Sequence, residues 1–96
     1  MITVESTVVV APGLTAANLG DEAVLLDANS GRYYGLNELG ARIFELARTP
    51  HMVREIKAAL LQEYKVQEAQ LEADLLAFLR DMEQRNLIEL KDGSAA

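Results

Sequence analysis

The order of hydrophobic and polar residues changes its period once, near Asn37, and divides the chain into two parts. Before Asn37 the apolar positions come in short runs that are separated by turn residues. These runs are V-V-V at residues 8–10, A-V-L-L at residues 23–26 and R-Y-Y-G-L at residues 32–36. Short runs that are rich in β-branched and aromatic residues are typical of strands. The first part of the chain therefore predicts a small sheet.

The second and third runs are joined by Asn29, Ser30 and Gly31. These residue types tolerate positive φ or form local side-chain turns, so they predict a hairpin. The two flanking strands should then be antiparallel neighbours.

Alternation along the third strand places its side chains on opposite faces of the sheet. Arg32, Tyr34 and Leu36 share one face, and Tyr33 and Gly35 share the other. Because helices on one side of a sheet bury only one face, one tyrosine ring should be partly exposed. The alternation leaves open which of the two it is.

After Asn37, a good N-cap residue, the apolar spacing becomes helical. Thr49 and Pro50 predict the start of a second helix, as an N-cap and a first-turn proline. A third helix is predicted from about residue 67 to residue 85, and Asn86 is suited to the left-handed conformation that ends a helix. The predicted buried stripes are Leu39, Ile43, Leu46 and Ala47, then Val53, Ile56, Leu60 and Tyr64, and finally Leu71, Leu75, Phe78, Leu79 and Met82.

Residues 87–90 predict a short terminal strand or wing, and the last six residues predict a frayed tail. The expected fold class is α+β, with a three-stranded antiparallel sheet followed by a three-helix, winged helix-turn-helix-like bundle. Without repeats or a long linker, residues 1–96 are expected to form one domain with a core from about residue 3 to residue 90.

The negative net charge of the chain argues against a DNA-binding protein. The chain has 9 Lys and Arg against 15 Asp and Glu, a net charge of −6, which repels phosphate backbones and anionic membranes. Residues 67–86 carry two basic and five acidic side chains, a net charge of −3. A recognition helix with this charge would repel the duplex that it must enter.

The residues also offer little chemistry. His51 is the only histidine, predicted to lie solvated in the first turn of a helix, and the chain has no cysteine. No spacing typical of a nucleotide loop, zinc site or nucleophile elbow occurs. We therefore expect neither an enzyme nor a cofactor. No targeting sequence or membrane-spanning run is recognised, so a cytoplasmic location is expected.

The two tyrosines allow two interpretations. Both can be ordinary strand aromatics at the edge of the core. Alternatively, if residues 32–36 form an edge strand, their unpaired N–H and C=O groups can accept an extended peptide, and Gly35 would allow its backbone to come close. The same edge could pair with a second copy of the chain and give a homodimer.

The sequence around the two tyrosines resembles a known family. The segment A-V-L-L-D-A-N-S-G-R-Y-Y-G-L-N-E-L-G-A-R-I-F-E-L is similar to the PqqD-like family of precursor peptide recognition elements, which bind the leader peptides of ribosomally made natural products. The likeness covers roughly residues 3 to 90, and R-Y-Y-G-L-N-E-L-G-A-R-I-F is its most specific part. The form G-R-Y-Y-x-L-N most resembles the freestanding leader-binding proteins of lasso-peptide pathways.

The resemblance implies a non-catalytic adaptor whose leader peptide adds to the third strand and is clamped by the third helix. The implied partners are a cysteine leader peptidase of the transglutaminase-like type and an asparagine-synthetase-like cyclase. Asn86 stands where the family often has glycine. The implied peptide-binding residues are Arg32, Tyr33, Tyr34, Gly35, Leu36, Asp74, Leu75, Phe78, Leu79 and Met82.

Several alternatives stay open from sequence. Leu75, Leu79 and Met82 can equally be core residues, and Asp74 can be a solvated helix residue. A PqqD-type chaperone that delivers its peptide to a radical-SAM enzyme would have the same pattern. A winged-helix DNA-binding protein is the third hypothesis, and the acidic third helix argues against it.

Overall fold

Two antiparallel sheets and three helices make up the computed structural model, which describes residues 2–91. The α+β class is therefore confirmed. The strands are β1 Thr7–Val10, β2 Leu14–Leu19, β3 Glu22–Asp27, β4 Arg32–Leu36, β5 His51–Met52 and β6 Ile88–Leu90. The helices are α1 Glu38–Leu46, α2 Val53–Glu63 and α3 Glu68–Gln84.

The first sheet is an antiparallel meander with the order β2-β3-β4. The turn between β3 and β4 is the predicted hairpin. Gly31 has a φ of 73°, and the Asp27 carboxylate accepts hydrogen bonds from the Asn29 N–H at 3.0 Å and the Ser30 hydroxyl at 2.9 Å. Local turn chemistry therefore fixes the register of β3 on β4, and the hairpin prediction is confirmed.

A three-stranded antiparallel sheet is present as predicted, but the first predicted strand, residues 8–10, does not belong to it. β1 lies in a second sheet of order β5-β1-β6, where Val8 is opposite both His51 and Leu90. Its expected place beside β3 is taken by β2, whose sequence L-T-A-A-N-L has one β-branched residue and therefore a weak strand signal. Partner choice between distant strands depends on tertiary packing, which short-range patterns do not report.

Helix α1 begins as predicted. The Asn37 Oδ1 accepts the N–H of Gly40 at 2.8 Å, so the cap closes the first turn of α1 directly after β4. The cap therefore lets α1 begin directly after β4, with Asn37 as the one residue between them.

The predicted start of the second helix at Thr49 and Pro50 was wrong. His51 and Met52 are extended because they pair with β1, so α2 begins at Val53. The Glu55 carboxylate accepts the Met52 N–H at 2.9 Å and supports this later start. His51 is consequently a strand residue and not part of a first helical turn.

Helix α3 agrees with its predicted bounds to within one residue at each end. Asn86 has a φ of 61°, as expected, and the next N–H, of Leu87, donates to the Met82 carbonyl at 2.9 Å. The chain then enters β6, so the predicted terminal strand is confirmed. The predicted fraying concerns residues 92–96, which lie outside the described part.

One hydrophobic cluster joins both sheets to the three helices. Its fully buried side chains include Val8 of β1, Leu25 of β3, Ile43 of α1, Leu60 of α2 and Leu79 of α3. Burial of such side chains from water is the main stabilising contribution to a fold of this size. In the described residues, no helix combines the length and the apolarity that crossing a membrane requires.

Ion pairs join the helices at the surface. The Arg42 guanidinium of α1 donates to both carboxylate oxygens of Glu63 in α2, at 2.7 and 2.6 Å. This hydrogen-bonded pairing lowers the pKa of Glu63 below its usual value. The Lys57 ammonium of α2 lies 2.7 Å from the carboxylates of both Glu68 and Glu72 in α3.

Removing the cap of α1 should destabilise the fold. We expect Asn37→Ala to lower the free energy of unfolding by about 1 kcal/mol, because the Gly40 N–H loses its acceptor. Asn37→Asp keeps an acceptor at the helix N-terminus and is the control, expected to unfold close to the parent. Chemical denaturation measures both, and an alanine variant with the parental midpoint would contradict the role of the cap.

The pairing of Glu63 with Arg42 should appear in acid unfolding. Because its folded pKa lies below the ordinary 4.5, this pairing stabilises the fold above about pH 4.5 and is lost as pH falls through the folded pKa. We expect Glu63→Gln to be less stable at neutral pH and to lose less stability on acidification. Arg42→Gln should likewise reduce the loss of stability on acidification. The double variant should show the same pH dependence as either single variant, as measured by chemical denaturation across the acidic pH range.

Candidate functional site

Strand β4 has one unpaired edge. In the described residues it pairs with β3 alone, from Ala23 opposite Leu36 to Asp27 opposite Arg32. Alternate residues of an antiparallel edge strand direct their N–H and C=O groups outwards, where they are free to bond another strand. The prediction that this strand lies at a sheet edge is confirmed.

An apolar groove of about 320 Å³ runs beside this edge. We call it the β4–α3 groove, since one wall is β4 and the other is the C-terminal half of α3. Its lining consists mostly of aromatic and aliphatic groups with two charged side chains at the rim. The lining residues are Tyr33, Tyr34, Gly35, Leu36, Phe78, Asp81, Met82, Arg85 and Leu87.

The two tyrosines point to opposite faces of the sheet. Tyr34 is opposite Leu25, which is fully buried, and packs against the core. The Arg85 guanidinium lies over its ring, 5.8 Å from the ring centroid. Tyr33 is 71% exposed, which confirms that one ring of the pair is largely outside the core.

Phe78 lines the groove and lies close to the start of α1. A Cβ atom added to Gly40 would lie 3.1 Å from Cε1 and 3.2 Å from Cζ of the Phe78 ring. Any side chain at position 40 would therefore crowd the ring. Gly40 thus allows Phe78 to lie against α1, a role that sequence reasoning missed.

The structure brings six of the ten predicted site residues into the β4–α3 groove and leaves four outside its lining. Leu75 and Leu79 are fully buried in the core below it. Asp74 is exposed and accepts a hydrogen bond from Gln70 at 2.9 Å. Arg32 lies at the hairpin end of β4, and its binding role, like that of the other nine, stays a prediction.

Three lining residues were not predicted. Asp81 and Arg85 follow Phe78 by three and seven positions, so they lie on the same helical face. That spacing was a usable signal. Leu87 reaches the groove only because the chain reverses at Asn86, which the spacing on α3 does not reveal.

A second, more polar recess of about 390 Å³ continues from the hairpin end of the groove. We call it the polar recess. It shares Tyr34 and Arg85 with the groove. It adds residues in and beside the turn between β1 and β2 and the turn between β3 and β4. Its lining is Pro12, Leu14, Asp27, Asn29, Ser30, Arg32, Tyr34, Arg85 and Asn86.

The groove presents apolar, aromatic and charged surfaces to a ligand. Its side chains are aromatic, aliphatic, guanidinium and carboxylate, and the carboxylate of Asp81 accepts the Arg85 Nε–H at 3.0 Å. Across residues 2–91, no three His, Cys, Asp or Glu side chains are grouped closely enough to hold a metal ion. An extended, partly apolar ligand fits this arrangement best.

Two solved structures are similar to this chain over most of its length. TbiB1 in complex with the TbiA(beta) leader peptide is 34% identical, with a TM-score of 0.77, and the match covers 84% of this chain and 94% of TbiB1. A lasso peptide synthetase B1 complexed with the leader peptide is 26% identical, with a TM-score of 0.73, covering 85% and 96%.

The comparison with curated protein sequences gave no match. The family described as Coenzyme PQQ synthesis protein D (PqqD) matches residues 22–88, which run from β3 into β6. This match includes β4 and α3, the two walls of the groove, and spans well over half of the sequence. The chain therefore belongs to the PqqD family.

Proposed function

We propose that this chain binds the leader region of a ribosomally synthesised precursor peptide as an additional strand on β4. One observation carries the proposal. The unpaired edge of β4 borders an apolar groove, in a chain 34% identical to TbiB1, whose structure is a complex with the TbiA(beta) leader peptide. An edge strand beside a groove is what β-strand addition requires.

Main-chain hydrogen bonds would supply the register of the leader. We place the leader strand antiparallel to β4, the direction in which β2, β3 and β4 already pair. Such a strand exchanges N–H···O=C bonds with every second residue of β4. Its side chains then alternate between the groove and the outer face on which Tyr33 lies.

Side-chain burial would supply most of the affinity. An apolar or aromatic leader residue that enters the groove lies between Tyr34, Phe78 and Met82. Burying such a residue contributes on the order of 1.5 to 3 kcal/mol. Tyr33 would cover the leader from the rim, since most of its surface is exposed and available for contact with a guest.

The remaining predicted contacts would act at the ends of the site or from below. Leu75 and Leu79 would support the Phe78 and Met82 side chains from the core, as they are fully buried. Asp74 precedes Phe78 by one helical turn, away from the hairpin end where Arg32 lies. Their charges could therefore orient the two ends of the leader, each contributing about 0 to 1 kcal/mol.

We assign the chain the role of a non-catalytic adaptor without a cofactor. In a lasso-peptide pathway it would present the leader to a cysteine peptidase of the transglutaminase-like type and to an asparagine-synthetase-like cyclase. We place this work in the cytoplasm and in one domain formed by residues 1–96. Neither nucleic acid nor membrane is a proposed partner, and an empty β4 edge could pair with a second copy.

The family description favours a second candidate, a PqqD-type chaperone that delivers its peptide to a radical-SAM enzyme. The likeness to a lasso peptide synthetase B1 favours the first. Reading the neighbouring genes separates them, because a peptidase and a cyclase accompany lasso synthesis and an iron–sulfur enzyme accompanies the other pathway.

DNA binding by a winged-helix arrangement of α1, α2, α3 and β6 is the weakest candidate. Within Glu68–Gln84 the only basic residue is Arg80, and its Nη2–H donates to the Ile2 carbonyl at 3.0 Å. This helix therefore offers little positive charge to a duplex. A gel shift with strong salt dependence would revive DNA binding.

Truncating the groove should weaken leader binding. We expect Phe78→Ala to raise the Kd of the leader encoded beside this chain by about tenfold or more, because a buried anchor loses its wall. Tyr33→Ala should raise it less, since that ring is mostly exposed. Fluorescence polarisation with the labelled synthetic leader measures both.

Leu19→Ala is the matched control for these variants. Leu19 is 62% exposed but lies on β2, at the opposite edge of the same sheet, so the parental Kd is expected. If both groove variants fold and bind like the parent, the site lies elsewhere. A parent chain that does not bind the leader would refute the proposed function itself.

Strand addition predicts a periodic response to N-methylation of the leader. Methyl groups on amides that face β4 should abolish binding, because each removes a donor and obstructs the approach of the strand. Methyl groups on the intervening amides should leave the Kd near its parental value. A scan without this two-residue period would favour a helical or irregular leader.

A further inference from the structure

The polar recess lies where a strand added to β4 would leave the apolar groove. Tyr34 and Arg85 line both spaces, so their stacked side chains form the boundary between them. A guest strand that covers β4 from Leu36 to Arg32 therefore passes from an apolar wall to a polar one. The two ends of the site favour different residues in the guest.

The walls of this recess are held in place by two turns that contact each other. The Ala28 N–H donates to the Gly13 carbonyl at 3.0 Å. Gly13 has a φ of 88°, and a Cβ added to it would lie 2.8 Å from Nδ2 of Asn29. Glycine at this position therefore leaves room for Asn29, and the hydrogen bond holds the hairpin turn against the turn between β1 and β2.

Two guanidinium groups line the recess, and the neighbouring carboxylates are already bonded. Asp27 accepts from the Asn29 N–H and the Ser30 hydroxyl, one on each oxygen. Asp81 accepts the Arg85 Nε–H, which leaves the terminal nitrogens of Arg85 available above the Tyr34 ring.

Arg32 is the less restrained of the two. Within residues 2–91, no carboxylate lies within 4.0 Å of its guanidinium, although Asp27 is its cross-strand neighbour. Its side chain is exposed in the recess. Its guanidinium, which carries five N–H donors, is therefore not paired with a carboxylate of the described residues.

We propose that the polar recess is a carboxylate subsite, and that the leader carries an aspartate or glutamate which Arg32 and Arg85 bind together. This inference rests on the proposed function, since it names a further feature of the same guest. Guanidinium groups match carboxylates in geometry and form the stronger, charge-assisted hydrogen bonds.

The position of the acidic residue follows from strand geometry. In an antiparallel guest, the chain direction runs from Leu36 towards Arg32. Side chains that face the same way recur every second residue. The acidic residue should therefore follow the apolar anchor by an even spacing, about two or about four residues.

The test is a titration of the synthetic, fluorescein-labelled leader encoded beside this chain against the full-length protein. We expect Arg32→Gln and Arg85→Gln each to raise the Kd by about threefold to tenfold. Arg48→Gln is the matched control. The Arg48 guanidinium lies 5.7 Å from the Phe44 ring centroid, close to the 5.8 Å between Arg85 and Tyr34, but Arg48 lines neither the groove nor the recess.

A double-mutant cycle assigns the partner. Changing the acidic leader residue to its amide should weaken binding at least as much as either arginine substitution, and Arg32→Gln and Arg85→Gln should each cost less affinity with the amide leader than with the parental leader. The inference is overturned if the amide leader keeps its affinity, if the leader lacks an acidic residue at this spacing, or if Arg32→Gln and Arg85→Gln both bind like the parent. Those outcomes leave leader binding intact, whereas a parent chain that binds no leader refutes the proposed function and this inference together.

Discussion

The one-sided pairing of β4 is the constraint on which the rest of the site depends. Strand β3 satisfies one edge, and α3 stands off from the other at a distance that leaves a groove. Main-chain polar groups bond strongly wherever they are desolvated, so an edge of this kind selects for an extended partner. In the proposed complex, the aromatic lining would add affinity to a contact whose direction is set by the backbone.

Short-range signals accounted for the features that position this strand. The turn at Asn29 to Gly31, the cap at Asn37 and the left-handed Asn86 each depend on a few neighbouring residues, and each was predictable. The same locality explains why α3 was predicted almost to its ends. The hairpin and the cap together define where the edge strand starts and stops.

Long-range choices were not predictable from the sequence. Pairing of His51 and Met52 with β1 overrode a good helix-start signal at Thr49 and Pro50, because the sheet offers bonds that the local pattern does not contain. Which tyrosine faces inwards became clear only from the register that sets Tyr34 opposite Leu25. The candidate groove likewise requires α3 to lie beside β4 and the chain to reverse at Asn86, so Leu87 could not be assigned from its own neighbours.

The free edge of β4 has a further consequence for the empty protein. An exposed strand edge is a template for any extended chain, including unfolded or identical copies. A bound leader would occupy those donors and acceptors and so act as a protecting group against self-association. Leader binding and the tendency to self-associate would then both result from the unpaired edge of β4.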